Sequence, residues 1–414
     1  MAFPSFASAQ FTIDNTRWSG GTANTQGQGF DQGDPIRLTW GFAEEGINIP
    51  GFIGEGASPN QVRDFFDTNI GPQATTWQPL FDQIYDRWNS ISGLDVQFEA
   101  NDDGATFGNG FGSGGALGVR ADLRIAAHSV DGQAGSNTLA YNFFPNGGDM
   151  VIDSDNTAFF SNGANNFRGL RNVLAHELGH GLGMPHLFSD AADQLLEPFI
   201  NLGFDGPQYF DILTAQRGYG DFNEKGSNHQ GNDTVALATD LGTLSQGAGI
   251  AIGQDARQLG VGINDTDFFS IDDTSDTDVY EFDIAQDGVG DFILEALGFT
   301  IDVAEQANNG QPINEIDFNI QERSDLALEL LDSNGSLIAG ANNFGLGGNE
   351  SLTNIQLDAG TYFLRITGEN NADANLLDTQ FYGLTASFTA VPEPSSALIV
   401  AMFGFVGLRR RRTA

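Results

Sequence analysis

The sequence predicts an α+β fold in two parts, a mixed, twisted sheet carrying helices followed by an antiparallel β-sandwich. Three observations lead there. Residues 11–224 mix strand-sized apolar runs with two strong helical patterns. Residues 225–390 hold only short alternating stretches parted by turn chemistry. Glycine is abundant, at 54 residues, so the apolar runs are repeatedly broken and strands joined by many turns are favoured over long helices.

Composition bounds the function. The 414 residues suffice for two or three domains, and a composition 40% hydrophobic and 11% aromatic can fill real cores. A formal net charge of −38, with Lys225 the only lysine, repels nucleic acid and anionic lipid, so no nucleic-acid partner is expected. The excess acid suits a saline or calcium-containing exterior. With no cysteine there is no disulfide framework, thiol nucleophile or thiolate metal site.

Taking the elements in order, "TWQPLFDQIYDRWNSIS" sets Trp77, Leu80, Phe81, Ile84, Tyr85 and Trp88 at helical spacing, so an amphipathic helix should lay one apolar face on a sheet. The expected strands of that sheet are Pro35–Phe42, Leu94–Ala100, Ala121–Ser129, Asn137–Phe144 and Gly148–Asp153. A second helix should begin near Asn166. The polar, aperiodic "NEKGSNHQGNDT" marks the boundary between the two parts. Beyond it, Asp278–Ile284, Asp325–Asp332, Ser351–Leu357, Thr361–Thr367 and Phe381–Phe388 read as strands, with "DSNGS" and "DAG" as turns. In "DTDVYEFDI", "DLALELLDSNGSLIA" and "LDAGTYFLRITG" this half resembles the bacterial pre-peptidase C-terminal domain.

The ends bear on where the chain resides. Residues 1–10 contain Ala7-Ser8-Ala9, the remnant of a signal-peptide cleavage region on a truncated start, or an ordinary frayed terminus. Residues 391–414 place Pro392-Glu393-Pro394 before an apolar run at 395–408 and then Arg409–Arg412. At 1.5 Å per residue that run reaches about 21 Å, short of the ~30 Å hydrocarbon core, so it would touch the membrane transiently. The positive-inside rule leaves everything before it outside. The three-part pattern resembles the PEP-CTERM sorting tail of bacterial surface and secreted proteins, which implies an exosortase-type enzyme as partner, removal of the tail and an extracellular or cell-surface location; a plain C-terminal membrane helix is the alternative.

The chemistry lies in "HELGHGLGMPH", which gathers three of the chain's five histidines. His176 and His180, four apart on a helix, emerge from one face and can bind one metal ion. Gly183 falls where the helix must stop and turn, which can bring His186 back as third ligand. Three imidazoles on zinc leave a position for water, the mark of a catalytic site. Glu177 can then take the proton of the zinc-activated water as general base and pass it to a departing amine, which is peptide-bond hydrolysis. The bland alternative is an inert histidine-containing helix.

The extended motif resembles the metzincin metallopeptidases, and its surroundings look like the matrixin branch: "RWSGG", "DPIRLTWGF", "LAYNFFP", "GGDMVIDSD", and "FDILTAQRGYG" with Asp211, Ile212, Gln216, Tyr219 and Gly220. The resemblance implies a metzincin-like catalytic domain with one catalytic zinc and a protein or peptide substrate lying by β-augmentation along Leu139, Ala140 and Tyr141. It also implies a calcium loop, for which Asp131, Asp149, Asp153 and Asp155 are oxygen ligands of the kind calcium takes, Asp131 and Asp153 foremost; simple turn carboxylates are the alternative. There are departures. No methionine occurs between His186 and Met402, so Leu196 in "LLEPF" is the candidate replacement for the family's methionine beneath the zinc. Tyr141 and Val151 stand where a second zinc would need histidines, so none is expected, and His128 and His229 are read as ordinary histidines. The family's cysteine-based latency has no cysteine to supply it.

Other signals fall away. "NDDGATFGNGFGSGGALG" lacks the lysine of a phosphate loop, and Phe111 spoils a serine elbow at Ser113. Scattered carboxylates in so acidic a chain do not specify a glycosidase. The sequence therefore points to a secreted or surface-sorted zinc endopeptidase. The alternative is a surface binding or matrix protein on a metzincin scaffold with weak or lost catalysis.

Overall fold

The computed structural model describes residues 17–21, 31–108, 114–134, 138–307, 309–370 and 378–391. The expectations for 1–10, for Phe111 and Ser113, for Asn137 and for the tail from Pro392 onward lie outside the described residues.

The N-terminal half is built on a five-stranded sheet in the order Leu94–Phe98, Ile36–Phe42, Leu123–His128, Met150–Asp153, Ala140–Asn142. The first four strands run parallel and the last, on the edge, is antiparallel to its neighbour. Parallel strands covered on their faces read as continuous apolar runs, and Leu123–His128 is buried at every position. The helix Gln78–Ser90 lays its expected face on the sheet, Tyr85 stacking on Trp40 at 4.3 Å and Phe81 meeting Phe42 edge-on at 5.2 Å. A helix the sequence reading lacked, Val62–Asn69, adds Phe65 and Phe66 to this layer. Its eight residues are too few to display a helical period clearly.

The second expected helix runs Arg168–Gly181. It starts two residues later than Asn166 because Asn165, Asn166 and Phe167 all take positive φ, outside the right-handed helical region. The closing helix, Tyr209–Tyr219, opens on a capping box in which Gln208 and Asp211 satisfy each other's backbone N–H groups.

The C-terminal half is a sandwich of two five-stranded sheets. One is Leu337–Ala341, Ser324–Leu331, Gly360–Asn370, Thr277–Ile284, Thr239–Thr243; the other centres on Gln380–Ala390 and Gly288–Leu297. Their inner faces share a core of Phe282, Phe292, Leu328, Leu364, Tyr382 and Leu384. All the expected strands are present, but one pairing departs from an antiparallel sandwich: Thr239–Thr243 runs parallel to Thr277–Ile284.

The two halves share apolar interior. Leu297, Ile301, Val303, Phe318, Ile320 and Phe381 belong to the same buried cluster as the N-terminal core. Tyr209 packs edge-on against Phe381 and Phe299, and Phe210 against Phe318. A hairpin of Thr300–Gln306 and Pro312–Asn319 leaves the sandwich and pairs antiparallel with Leu187–Ser189, forming a separate three-stranded sheet.

Candidate metal centre

The helix Arg168–Gly181 presents Val173, His176, Glu177 and His180 on one face, spaced three, four and seven residues apart as a 3.6-residue period demands. Its C-terminus is held firmly. Trp18 donates through Nε1 to the Gly181 carbonyl at 2.7 Å, and the Tyr219 hydroxyl donates to the Leu182 carbonyl at 2.8 Å while accepting from the Trp18 N–H. Gly183 then turns the chain at φ 104°, a conformation that favours glycine.

Beyond the turn, His186 comes back to the helix. Its Nε2 lies 3.1 Å from Nε2 of His176 and 3.1 Å from Nε2 of His180. Each ring donates through Nδ1 to a carbonyl-type oxygen: His176 to Leu195 O at 2.8 Å, His180 to Met184 O at 2.7 Å and His186 to Gln306 Oε1 at 2.7 Å. With the proton on Nδ1, each Nε2 carries a lone pair, so the short N···N approaches are not hydrogen bonds. Three converging lone pairs are compatible with a bound cation, and neutral imidazoles whose second nitrogen is fixed by an acceptor suit zinc. Burial holds the rings neutral, pushing His176 down to about 4 and lowering His180 and His186 as well.

Glu177 lies on the same face, buried, with Oε2 lacking a hydrogen-bond partner among the described residues. Burial pushes its carboxyl up to about 8. A dication beside it would draw that value back down.

Leu196 packs against Gly179 of the motif helix: a Cβ added at Gly179 would lie 3.0 Å from its Cδ2. Asp211 fixes this segment, accepting from the Leu195 and Leu196 N–H groups at 2.7 and 3.2 Å, and so aims the Leu195 carbonyl at His176. Burial raises Asp211 to about 7.

A cleft of about 630 Å³ runs past the three histidines and Glu177, lined by Thr138 through Asn142 on one side and Pro198, Phe199 and Ile200 on the other. Leu139, Ala140 and Tyr141 thus border it, and the strand Ala140–Asn142 has a sheet neighbour on one side. Phe199, 77% exposed, stands at its rim.

The carboxylates of Asp131 and Asp153 come together with that of Asp155, ligand atoms within 4.8 Å of one another. Asp149 does not join them; it accepts from the N–H groups of Gly108 and Arg124. Burial, with Asp155 and Asp131 adding, pushes Asp153 up to about 6. Away from these sites, His128 bonds Ser58 and His229 faces Asp95. A further carboxylate group the sequence did not disclose, Asp221, Glu224 and Asp278, lies buried between the halves with Asp233 and Asp276 beside it. Gln306 was also missed. The strand alternation of "TIDVAEQ" and "INEIDF" about "NNG" signals its hairpin, but nothing in sequence links it to a histidine 120 residues earlier.

A helix bearing two histidines and a carboxylate, a returning third histidine and a bordering edge strand together form a three-histidine cluster compatible with a zinc site, with a carboxylate beside it. A family model for the matrixins matches residues 73–212, which supports a metzincin-like domain and zinc metallopeptidase-type function at the level of the family. A search of curated proteins finds no match. Among solved structures, the pre-peptidase C-terminal domain of a collagenase from Bacillus anthracis aligns at 16% identity over 37% of this chain and 94% of its own, with a TM-score of 0.19. A protein from Sulfurospirillum deleyianum aligns at 13% identity over 34% and 98%, TM-score 0.18, and a β-glucosidase from Paenibacillus barengoltzii at 14% over 58% and 20%, TM-score 0.19. At such scores these likenesses carry no weight for fold or function. Among the described residues no helix is long and apolar enough to cross a membrane.

Proposed function

We propose that the chain is a zinc-dependent endopeptidase in which His176, His180 and His186 hold the metal and Glu177 is the general base. The convergence of three lone-pair-bearing Nε2 atoms beside a buried carboxylate oxygen that has no partner among the described residues carries this reading. A bound zinc would supply a polarised scissile carbonyl and a water of lowered pKa. Leu139, Ala140 and Tyr141 offer main-chain groups to an extended peptide, which aligns it along the cleft by β-augmentation. Glu177, in ionised form, takes the proton of the attacking water and delivers it to the leaving amine.

Asp131, Asp153 and Asp155 are proposed as calcium ligands, supported by the mutual approach of their oxygens. Residues 391–414 support export and sorting by an exosortase-type enzyme as part of the same reading. The deciding experiment incubates the purified chain, zinc and calcium added, with unfolded casein, beside Glu177→Ala. Cleavage by the parent alone, with equal zinc in both proteins, supports the reading; a folded, zinc-loaded parent that cuts neither casein nor a broad peptide library sinks it.

A further inference from the structure

We propose that Gln306, delivered by a hairpin of the C-terminal half, is a positioning residue for His186, so that both halves of the chain are needed to build one metal centre. The inference rests on reading the three histidines as zinc ligands. Two of them are oriented from within the N-terminal half, His176 by the Leu195 carbonyl and His180 by the Met184 carbonyl. His186 is different. It lies beyond the helix, and its Nδ1 donates to a side chain 120 residues away, at 2.7 Å.

The pairing register explains why the two meet. Val303, Ala304 and Glu305 stand opposite Ser189, Phe188 and Leu187, and continuing that antiparallel ladder by one residue sets Gln306 opposite His186. Directly opposed residues project from the same face of a sheet, so the ladder brings amide and imidazole together. The hairpin is anchored, because Ile301, Val303 and Phe318 are buried in the core of the N-terminal half and Phe318 meets Phe210 edge-on at 5.5 Å. Gln306 therefore holds the His186 proton on Nδ1 and points its Nε2 lone pair at the other two rings, the role an acceptor plays behind a metal-bound histidine.

The test uses the full chain with Gln306→Leu, which keeps the bulk and removes the acceptor, and Gln306→Glu, which can only accept. Zinc affinity is measured by chelator competition, ligand geometry by the absorption bands of the cobalt-substituted protein, and cleavage separately. Loss of an orienting acceptor typically costs 10–100-fold in metal affinity, so Q306L should weaken zinc by about that factor and change the cobalt bands, with Q306E restoring both. If Q306L binds zinc as the parent does with unchanged bands, the proposal falls, whatever happens to cleavage. If Q306L weakens zinc but even the parent cleaves nothing, Gln306 keeps its role and the peptidase reading fails. Should Q306L not fold, the nitrogen-15 histidine spectrum of the parent decides. Three exchange-protected Nδ1–H protons that respond to zinc removal are expected; only two would overturn the proposal.

Discussion

Glu177 and Leu196 carry the sharpest residue-scale expectations. Removing a positioned general base costs about 10²–10⁴-fold, so Glu177→Ala should lower kcat/KM by at least that much while zinc content stays equal. A comparable loss of zinc would mean that Glu177 serves metal binding instead. Leu196 fills the space under Gly179, where an unbranched thioether of similar volume also fits. Leu196→Met should change stability by less than about 1.5 kcal/mol and leave cleavage in place, whereas Leu196→Ala should cost about 2–5 kcal/mol in urea unfolding. If Leu196→Met abolishes activity without unfolding, packing is not what the position supplies.

At the scale of elements, the end of the motif helix depends on Trp18 and Tyr219. The Tyr219 hydroxyl satisfies both the Trp18 N–H and the Leu182 carbonyl in a buried setting. Tyr219→Phe leaves both unpaired and should cost about 1–3 kcal/mol in denaturant unfolding. An unchanged midpoint would show that water replaces the hydroxyl. Asp131, Asp153 and Asp155 gather negative charge whose partners, among the described residues, are N–H and hydroxyl donors. Calcium chelation should therefore lower the melting temperature, and Asp153→Asn should abolish that response; a melting temperature indifferent to chelator removes calcium from this loop.

For the whole molecule, buried carboxylates set the response to pH. Burial raises Asp278 to about 7, and burial with mutual repulsion holds Asp221, Glu224, Asp272 and Asp276 well above the ordinary range. A folded-state value above the unfolded one, about 4 for these side chains, means the folded protein binds the proton more tightly. That contribution is complete below about pH 4 and fades as pH rises through 7. Four histidines lowered by burial, His128, His176, His180 and His186, work in the opposite sense over this range, but Glu177, raised to about 8, and Asp211, raised to about 7, join the five raised carboxylates and outweigh them. Metal-stripped protein should thus melt lower at pH 8 than at pH 5.5; a rising profile would contradict the burial of these charges. The shared core carries a second whole-molecule consequence, a single calorimetric transition in which both halves unfold together.

What the sequence determined by itself was everything set by local spacing. The four-residue interval of His176 and His180, the glycine where the helix must turn, the aromatic face of Gln78–Ser90 and the alternation of the sandwich strands are periodicities of helix and strand, readable without knowing what lies across from them. Tertiary structure alone decided which groups meet across long loops: Gln306 behind His186, Trp18 on the end of the motif helix, which three of the four loop aspartates converge while Asp149 turns away, and carboxylates from both halves buried as one cluster. Those contacts depend on strand order and on how the halves pack, and neither leaves a period in the chain. Specificity of this kind is stored in three-dimensional register, where a one-residue slip in the ladder of Leu187–Ser189 with Val303–Glu305 would turn Gln306 to the opposite face.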